Sequence, residues 1–263
     1  MPPARKRLRS YDHDTIRAAV LAQFGHVRQA VESLTPEQLA LPTRLGDWTV
    51  RELSAHIAMT SGLIARYVTL PEPERADVAL LDWPFATVTA AGQVDEDTRA
   101  FAADQEPAEL FARVAARIGE LLPAVPADRL VPMRFGGMRL GDFLVTRTVE
   151  LIVHTDDLNA ATGLEIPYDR KALAACTRLL ADALAVKAPG ASTEVRIPPF
   201  AVVQCIEGPR HTRGTPPNVV ETDPLTWIRL ATGRTGWREA VDAARVSASG
   251  ERADLGRLLP ILG

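Results

Sequence analysis

Apolar residues recur at helical spacing in long stretches of this chain, and that repeat most constrains what it can fold into. Between Tyr11 and Leu34 the repeat is carried by Ile16, Val20, Phe24, Val27, Val31 and Leu34. A second run, Val50 to about Val68, places Leu53, Ile57, Ile64 and Val68 on one stripe and stops at Pro71-Glu-Pro73. Pro107 to Leu122 and Leu140 to Ala161 complete a set of four, the last closed by Gly163 where a helix-terminating glycine belongs. Four long amphipathic helices with little strand signal among them predict a helix bundle. Thr35-Pro-Glu-Gln38 reads as a further short capped start. Residues 71–106 read less clearly, with a break at Trp83-Pro84 and room for a helix over Thr87 to Ala103.

The pattern changes after Tyr168. Lys171 to Lys187 is helical, but Thr193-Glu-Val-Arg-Ile197 and Phe200-Ala-Val-Val-Gln-Cys-Ile206 alternate as strands do, with further strand signal at Asn218–Glu221 and Arg245–Ser249. Asp223-Pro224 opens a helix through Leu230, with Asp as cap and Pro at the first position, and Trp237 to Ala244 reads as another. Strands and helices mixed without regular alternation predict an α+β unit. The expected organisation is therefore a helix bundle over residues 11–165 and a smaller α+β domain over 166–263.

The 263 residues supply ample core, and a net charge of −3 argues against a nucleic-acid binder, which normally carries a clustered basic face. Two cysteines, Cys176 and Cys205, make neither a disulfide framework nor a Cys-rich metal module, so a reducing cytoplasm is the expected compartment. No stretch approaches a membrane span, and the basic tip Pro2–Arg9 is followed by polar residues where a signal peptide needs an apolar run.

Chemistry concentrates in the fourth helix. Glu150 and His154 lie four residues apart, so they stack on one face and offer a carboxylate oxygen and an imidazole nitrogen to one point. His56 in the second helix is a third donor. Two His and one Glu would leave a tetrahedral cation one open position, the arrangement of catalytic zinc; the same set accepts nickel, cobalt or iron. Spacing alone is weak, since five His among 33 acidic residues produce roughly half such a pair by chance. Glu52 also precedes a histidine by four, but Thr49-Val-Arg-Glu52 reads as a capping box, with Glu52 folded back on the helix start. Asp157, one turn beyond His154, reads either as an acceptor orienting a ligand imidazole or as a solvated helix residue. Arg147 shares the strip and either meets a substrate carboxylate through its planar fork or serves as a surface charge or a partner of Glu150. The plain alternative for the whole set is a half-buried His154 bonded to Glu150 and a satisfied core His56.

Two signatures carry a resemblance. Asp47-Trp-Thr-Val-Arg-Glu-Leu-Ser-Ala-His56 resembles the Trp-[Thr/Ser/Asp]-Val-x-[Asp/Glu]-Leu-x-x-His signature of the mycothiol-dependent maleylpyruvate isomerase family, within the wider DinB-like four-helix metalloproteins. Glu150-Leu-Ile-Val-His-Thr-Asp-Asp-Leu, followed by Gly163, resembles the family's second signature, in the expected order. The resemblance implies that His56, Glu150 and His154 are zinc ligands and that mycothiol is the thiol cosubstrate of an isomerase or thiol transferase. The second domain resembles the sterol-carrier-like domain often attached to this family, through Pro198–Gly208, Asp223–Arg234 and Val246–Gly250. It implies an arginine that helps bind substrate, with Arg234 and Arg229 both candidates. Arg210, His211 and Arg213 stand in a Pro-rich loop, Glu207–Pro217, without a counterpart in the isomerase pattern; they read as an anion-binding loop closing over the site or as a solvated loop. The alternative function is a carrier of lipid or another apolar ligand, with a structural or relic metal site. The expected partners are small molecules, with neither nucleic acid nor membrane, in a monomer or homodimer.

Overall fold

The computed structural model describes residues 9–87, 91–103, 105–208 and 217–262. The long helices form where the apolar repeat predicts them. Helix α1 (His13–Glu32) starts at Asp12, whose side chain accepts from the Thr15 backbone N–H. A short helix α2 (Pro36–Leu39) follows, and α3 (Val50–Val68) opens on the Thr49/Glu52 capping box. Helix α4 (Trp83–Ala86) is one turn, α5 runs Ala91–Ala103 and α6 spans Pro107–Leu121. The connection after α6 holds a hairpin that the sequence reading did not contain: β1 (Leu130–Met133) pairs antiparallel with β2 (Gly136–Arg139).

Helix α7 (Leu140–Thr162) is the spine of the molecule, buried on nearly every side over its first five turns. It ends at Gly163, whose φ of 71° is the left-handed conformation a side chain would resist. Helix α3 packs against α6 and α7, and α1 packs against the same two, which closes a four-helix ring. Phe24 of α1 stacks on Phe111 of α6 at 5.1 Å between centroids, fixing one side of that ring.

Helix α8 (Arg170–Lys187) leans on α1 and α7 with one side and on the following sheet with the other. That sheet holds β3 (Thr193–Ile197), β4 (Ala201–Cys205), β5 (Val219–Thr222) and β6 (Val246–Ser249) in the order β4-β3-β5-β6. β3 runs parallel to β5, and the two outer pairs are antiparallel. Alternate residues Val195, Ile197, Ala201 and Val203 turn inward while Val202 faces out, the period-2 pattern of a half-buried sheet. Helices α9 (Pro224–Ala231) and α10 (Trp237–Asp242) lie between β5 and β6, with Asp223 capping α9 as expected. A helical N-terminal part is thus followed by a small α+β part, and one continuous apolar core runs through both. Among the described residues no helix is long and apolar enough to cross a membrane.

Candidate metal centre

His56 projects from the second turn of α3, where the capping box fixes the start of the helix. Glu150 and His154 project from adjacent turns of α7. Because α3 packs on α7, the three side chains meet. His56 Nε2 and His154 Nε2 each lie 3.5 Å from Glu150 Oε2, and the two imidazole rings meet edge to face at 4.8 Å. One donor atom from each residue lies within 4.8 Å of the other two. Each imidazole is also held from behind. His56 Nδ1 is 3.3 Å from Thr98 Oγ1 on α5, and the ring lies 5.1 Å from that of Trp48. His154 Nδ1 donates to Asp157 Oδ2 at 2.9 Å. Both rings therefore present Nε2 to the common point.

Electrostatics favour an anionic carboxylate among neutral or cationic rings. Burial pushes Glu150 up, but hydrogen bonds from His154 and His56 and the nearby Arg147 charge outweigh it and hold the carboxyl well below its usual range. Burial pulls His56 down. Burial pulls His154 down too, yet its bonds to Asp157 and Glu150 reverse the sign and raise it.

Of the two readings of Asp157, the solvated one fails: the residue is 0 % exposed. It also has more partners than His154. Arg44 Nε donates to Oδ1 at 2.6 Å, Arg234 Nη2 to Oδ2 at 2.9 Å and Arg234 Nε to Oδ1 at 3.3 Å. The neighbouring Asp156 receives Arg229 through both Nε and Nη2, at 2.9 and 2.6 Å, together with Tyr168 Oη at 3.0 Å and Arg44 Nη2. Burial and the Asp156 charge push the Tyr168 hydroxyl up to about 12, so it stays a donor. Arg229 and Arg234, the two C-terminal candidates, are thus both engaged by aspartates of α7. Arg44, in the loop before α3, escaped the sequence reading because an irregular loop has no period to mark which way its residues point.

Arg147 is not a surface charge; it is 5 % exposed. Its guanidinium lies 4.8 Å from the Phe143 ring centroid and 6.0 Å from that of Trp83. Its bonds are long, Nη1 to the Thr60 carbonyl at 3.3 Å and Nε to Thr146 Oγ1 at 3.2 Å, and Nη2 comes only within 3.9 Å of Glu150 Oε1. His56, Glu150, His154 and Arg147 border a cavity of about 1360 Å³, walled by Trp48, Tyr67, Trp83, Phe101 and Phe143. Arg147 and Arg234 both line it, whereas Arg229 does not. Arg210, His211 and Arg213 lie outside the described residues.

Comparison with known proteins agrees with both halves. The family model described as the mycothiol maleylpyruvate isomerase N-terminal domain matches residues 20–159, and the one described as a bacterial SCP ortholog matches residues 169–261. None of the curated proteins matches the chain. Among solved structures, the mycothiol-dependent maleylpyruvate isomerase is similar at 15% identity, with a TM-score of 0.61 over 96% of this chain and 97% of that one. A His-to-Ala mutant of that enzyme is similar at 14% identity, also with a TM-score of 0.61 and the same coverage. At that identity the likeness establishes the shared fold. The match over residues 20–159 takes in more than half of the chain, including His56, Glu150 and His154, and by it the protein belongs to the mycothiol maleylpyruvate isomerase family.

Proposed function

We propose that this protein is an enzyme that holds a divalent cation, zinc in the first instance, on His56, Glu150 and His154. On that cation mycothiol would act on a small anionic electrophile, with cis–trans isomerisation as the reaction. The observation that carries the proposal is the convergence of three donor atoms from two helices at the wall of a large cavity. The donor set fits the ion: with bonds of about 2.0–2.1 Å, a tetrahedron has edges of about 3.4 Å, close to the two 3.5 Å spacings here. The wider spacing closes by rotations of under about an ångström in each imidazole.

When bound, such a cation keeps a thiol ionised at neutral pH, because its charge inverts the usual pKa logic. The protein's own cysteines are no source of that thiol: Cys176 and Cys205 are buried, and burial pushes the Cys176 thiol up. A small-molecule thiol must supply it. Addition of the mycothiol thiolate to an activated double bond leaves a single bond free to rotate; expulsion of the same thiolate returns the trans alkene with no net change in atoms. The chain's residues prepare this. Asp157 holds the His154 Nδ1 proton and so leaves Nε2 as the nitrogen that would meet the cation. Arg147, a buried cation without a saturating partner, receives a substrate carboxylate.

The test combines metal analysis with turnover. Purified protein is expected to carry one divalent ion and to isomerise maleylpyruvate only with mycothiol present. His154→Ala and His56→Ala are expected to stay folded and lose most of the metal and activity. Metal content unchanged in both variants would end this reading.

A further inference from the structure

We infer that the end of the cavity farthest from the metal donors, where Arg66 and Arg134 stand, is a second anion subsite. The electrophile it fits is longer than a seven-carbon diacid. It has an activated alkene at the metal end, a flat apolar body, and an anionic group at the outer end. The inference rests on the functional reading above, which says at which end the reaction takes place.

The cavity is a groove between two helices. Along α3, His56, Met59, Leu63 and Arg66 line it at intervals of three and four residues, so they form one stripe. Along α7, Phe143, Arg147, Glu150 and His154 do the same. The two helices run in opposite directions there, since His56 meets Glu150 while Tyr67, near the other end of α3, meets Phe143 at 5.4 Å. From His56 to Arg66 the helix advances about 15 Å. A seven-carbon diacid, with six bonds of about 1.5 Å, spans at most roughly 8 Å. Held at the metal end, such a molecule leaves the outer half of the groove empty. The volume agrees. About 1360 Å³ exceeds the roughly 300–1,000 Å³ that suits one drug-sized ligand, so a thiol cosubstrate and a sizeable electrophile fit together. Tyr67, Trp83 and Phe143 line the middle of the groove and suit a flat apolar body.

The outer end is built by the β1–β2 hairpin. Pairing of Met133 with Gly136 leaves Arg134 and Phe135 as the two turn residues, and both line the cavity. The hairpin is held in place from outside. The Asp77 and Val78 amides donate to the Gly137 carbonyl at 2.8 and 3.1 Å. Gly137 itself lies so close that a Cβ there would come 2.2 Å from the Arg75 carbonyl. Among the described residues neither Arg66 nor Arg134 has an acidic partner, and both are exposed. The carboxylates on the α5 side of the cavity are engaged: Asp95 accepts from Trp48 and Arg99, and Asp97 accepts from Gln93. Arg66 also suits the last turn of α3, where a cation meets the negative end of the helix. That reason does not extend to Arg134, which stands between two strands. What the two share is the cavity.

The experiment compares two acids that cannot react, 3-benzoylpropanoate and 3-(4-carboxybenzoyl)propanoate, by calorimetry on the full chain without metal or thiol. They differ only in the second carboxylate, opposite the first across the ring. Wild type is expected to bind the diacid about tenfold more tightly, because two exposed ion pairs are each worth up to about fivefold. Arg66→Gln and Arg134→Gln are each expected to lose about threefold of that preference and the double variant all of it. Arg139→Gln, which removes an exposed arginine of the same hairpin outside the cavity, is expected to keep it. Added salt should narrow the preference in wild type. With metal and mycothiol present, KM for the corresponding cis-alkene, (Z)-3-(4-carboxybenzoyl)acrylate, is expected to rise in the same order, with kcat within about twofold.

Equal affinity of wild type for the two acids would overturn the inference. So would a preference that survives in the double variant, or one lost equally in Arg139→Gln, which would trace it to net charge alone. Protein that shows the preference but holds no metal would overturn the functional proposal and leave the outer subsite standing, so the two failures are told apart.

Discussion

Replacing Arg147 with Met is expected to make the protein more stable and a poorer enzyme. On the folding side, the guanidinium sits 5 % exposed without a close counter-ion, since Glu150 Oε1 is 3.9 Å away. Burial accordingly lowers its pKa, with Glu150 pulling it back up. The effective penalty for burying an ion is several kcal/mol, and a poorly geared pair at 3.9 Å recovers little of it. Against that stand two ring contacts, together worth about 1–2 kcal/mol, and two long hydrogen bonds worth about 1 kcal/mol each at most. With a cation bound to compensate Glu150, Met leaves no hydrogen-bond partner orphaned. Thr146 Oγ1 still donates to the Phe143 carbonyl, and the Thr60 carbonyl lies inside α3 with a helical partner. Met also refills most of the side-chain volume between Phe143 and Trp83. The balance is a gain of about 1 kcal/mol, or a rise of about 2–4 °C in the thermal midpoint for a chain of this size. On the catalytic side, losing a charge-assisted bond to a substrate carboxylate costs about 1.5–3 kcal/mol, so kcat/KM for an acid electrophile should fall roughly 10- to 150-fold. A neutral ester analogue should lose far less. Thermal unfolding of the metal-loaded protein and the acid-to-ester ratio together test this. A variant destabilised by more than about 1 kcal/mol with an unchanged acid-to-ester ratio would show that the cation holds the fold and not a substrate.

Glu52→Ala removes one arm of the α3 capping box, so it should cost about 1 kcal/mol in urea unfolding while leaving metal stoichiometry intact; lost metal would mean Glu52 does more than cap. Asp223 caps α9, and although partial burial pushes its pKa up, the Thr226 hydroxyl and the Leu225 and Thr226 amides outweigh that and lower it. A lowered folded value means its contribution is full above the unfolded carboxylate range and fades as pH falls through the folded value. Asp223→Ala should therefore cost about 1 kcal/mol at neutral pH and progressively less in acid, and a gap that widens in acid would contradict the assignment. Chelation of the loaded protein should lower the thermal midpoint; protection at a hundredfold excess over Kd is about 2.7 kcal/mol, or roughly 5–10 °C. An unmoved midpoint would indicate that no ion occupies the folded site.

What could be read from the sequence depended on periodicity and caps. Helix α3 begins and ends where the Thr49-x-x-Glu52 box and Pro71 predict, and strand β3 falls on Thr193–Ile197 as read. The same box separated Glu52 from Glu150, two glutamates with identical spacing to a histidine. The β1–β2 hairpin was missed because its four-residue strands include Pro132, Gly136 and Gly137, too short and too irregular to alternate. Arg147 could be read as exposed because amphipathic logic assigns charges to water. Helix α7 is buried on nearly all sides, so that logic has no exposed face to use there. Arg229 and Arg234 could not be told apart in a linear chain; only folding shows that one meets Asp156 and the other Asp157.

That last distinction bears on how the two parts of the chain depend on each other. Adjacent helical residues point about 100° apart, so the Asp156-Asp157 doublet can face two directions at once. Asp156 turns to Arg229 and Tyr168, Asp157 turns to Arg234 and His154, and Arg44 joins the two carboxylates. Each aspartate has four donors, and both are nearly or wholly excluded from solvent, so neither can lose a partner without leaving buried charge short of compensation. Separating the α9 segment from α7 would strip two donors from each carboxylate at once, including both that Arg234 places beside His154. The physical consequence is that the C-terminal part cannot detach while the histidine keeps its present surroundings, since the doublet that anchors the one also orients the other.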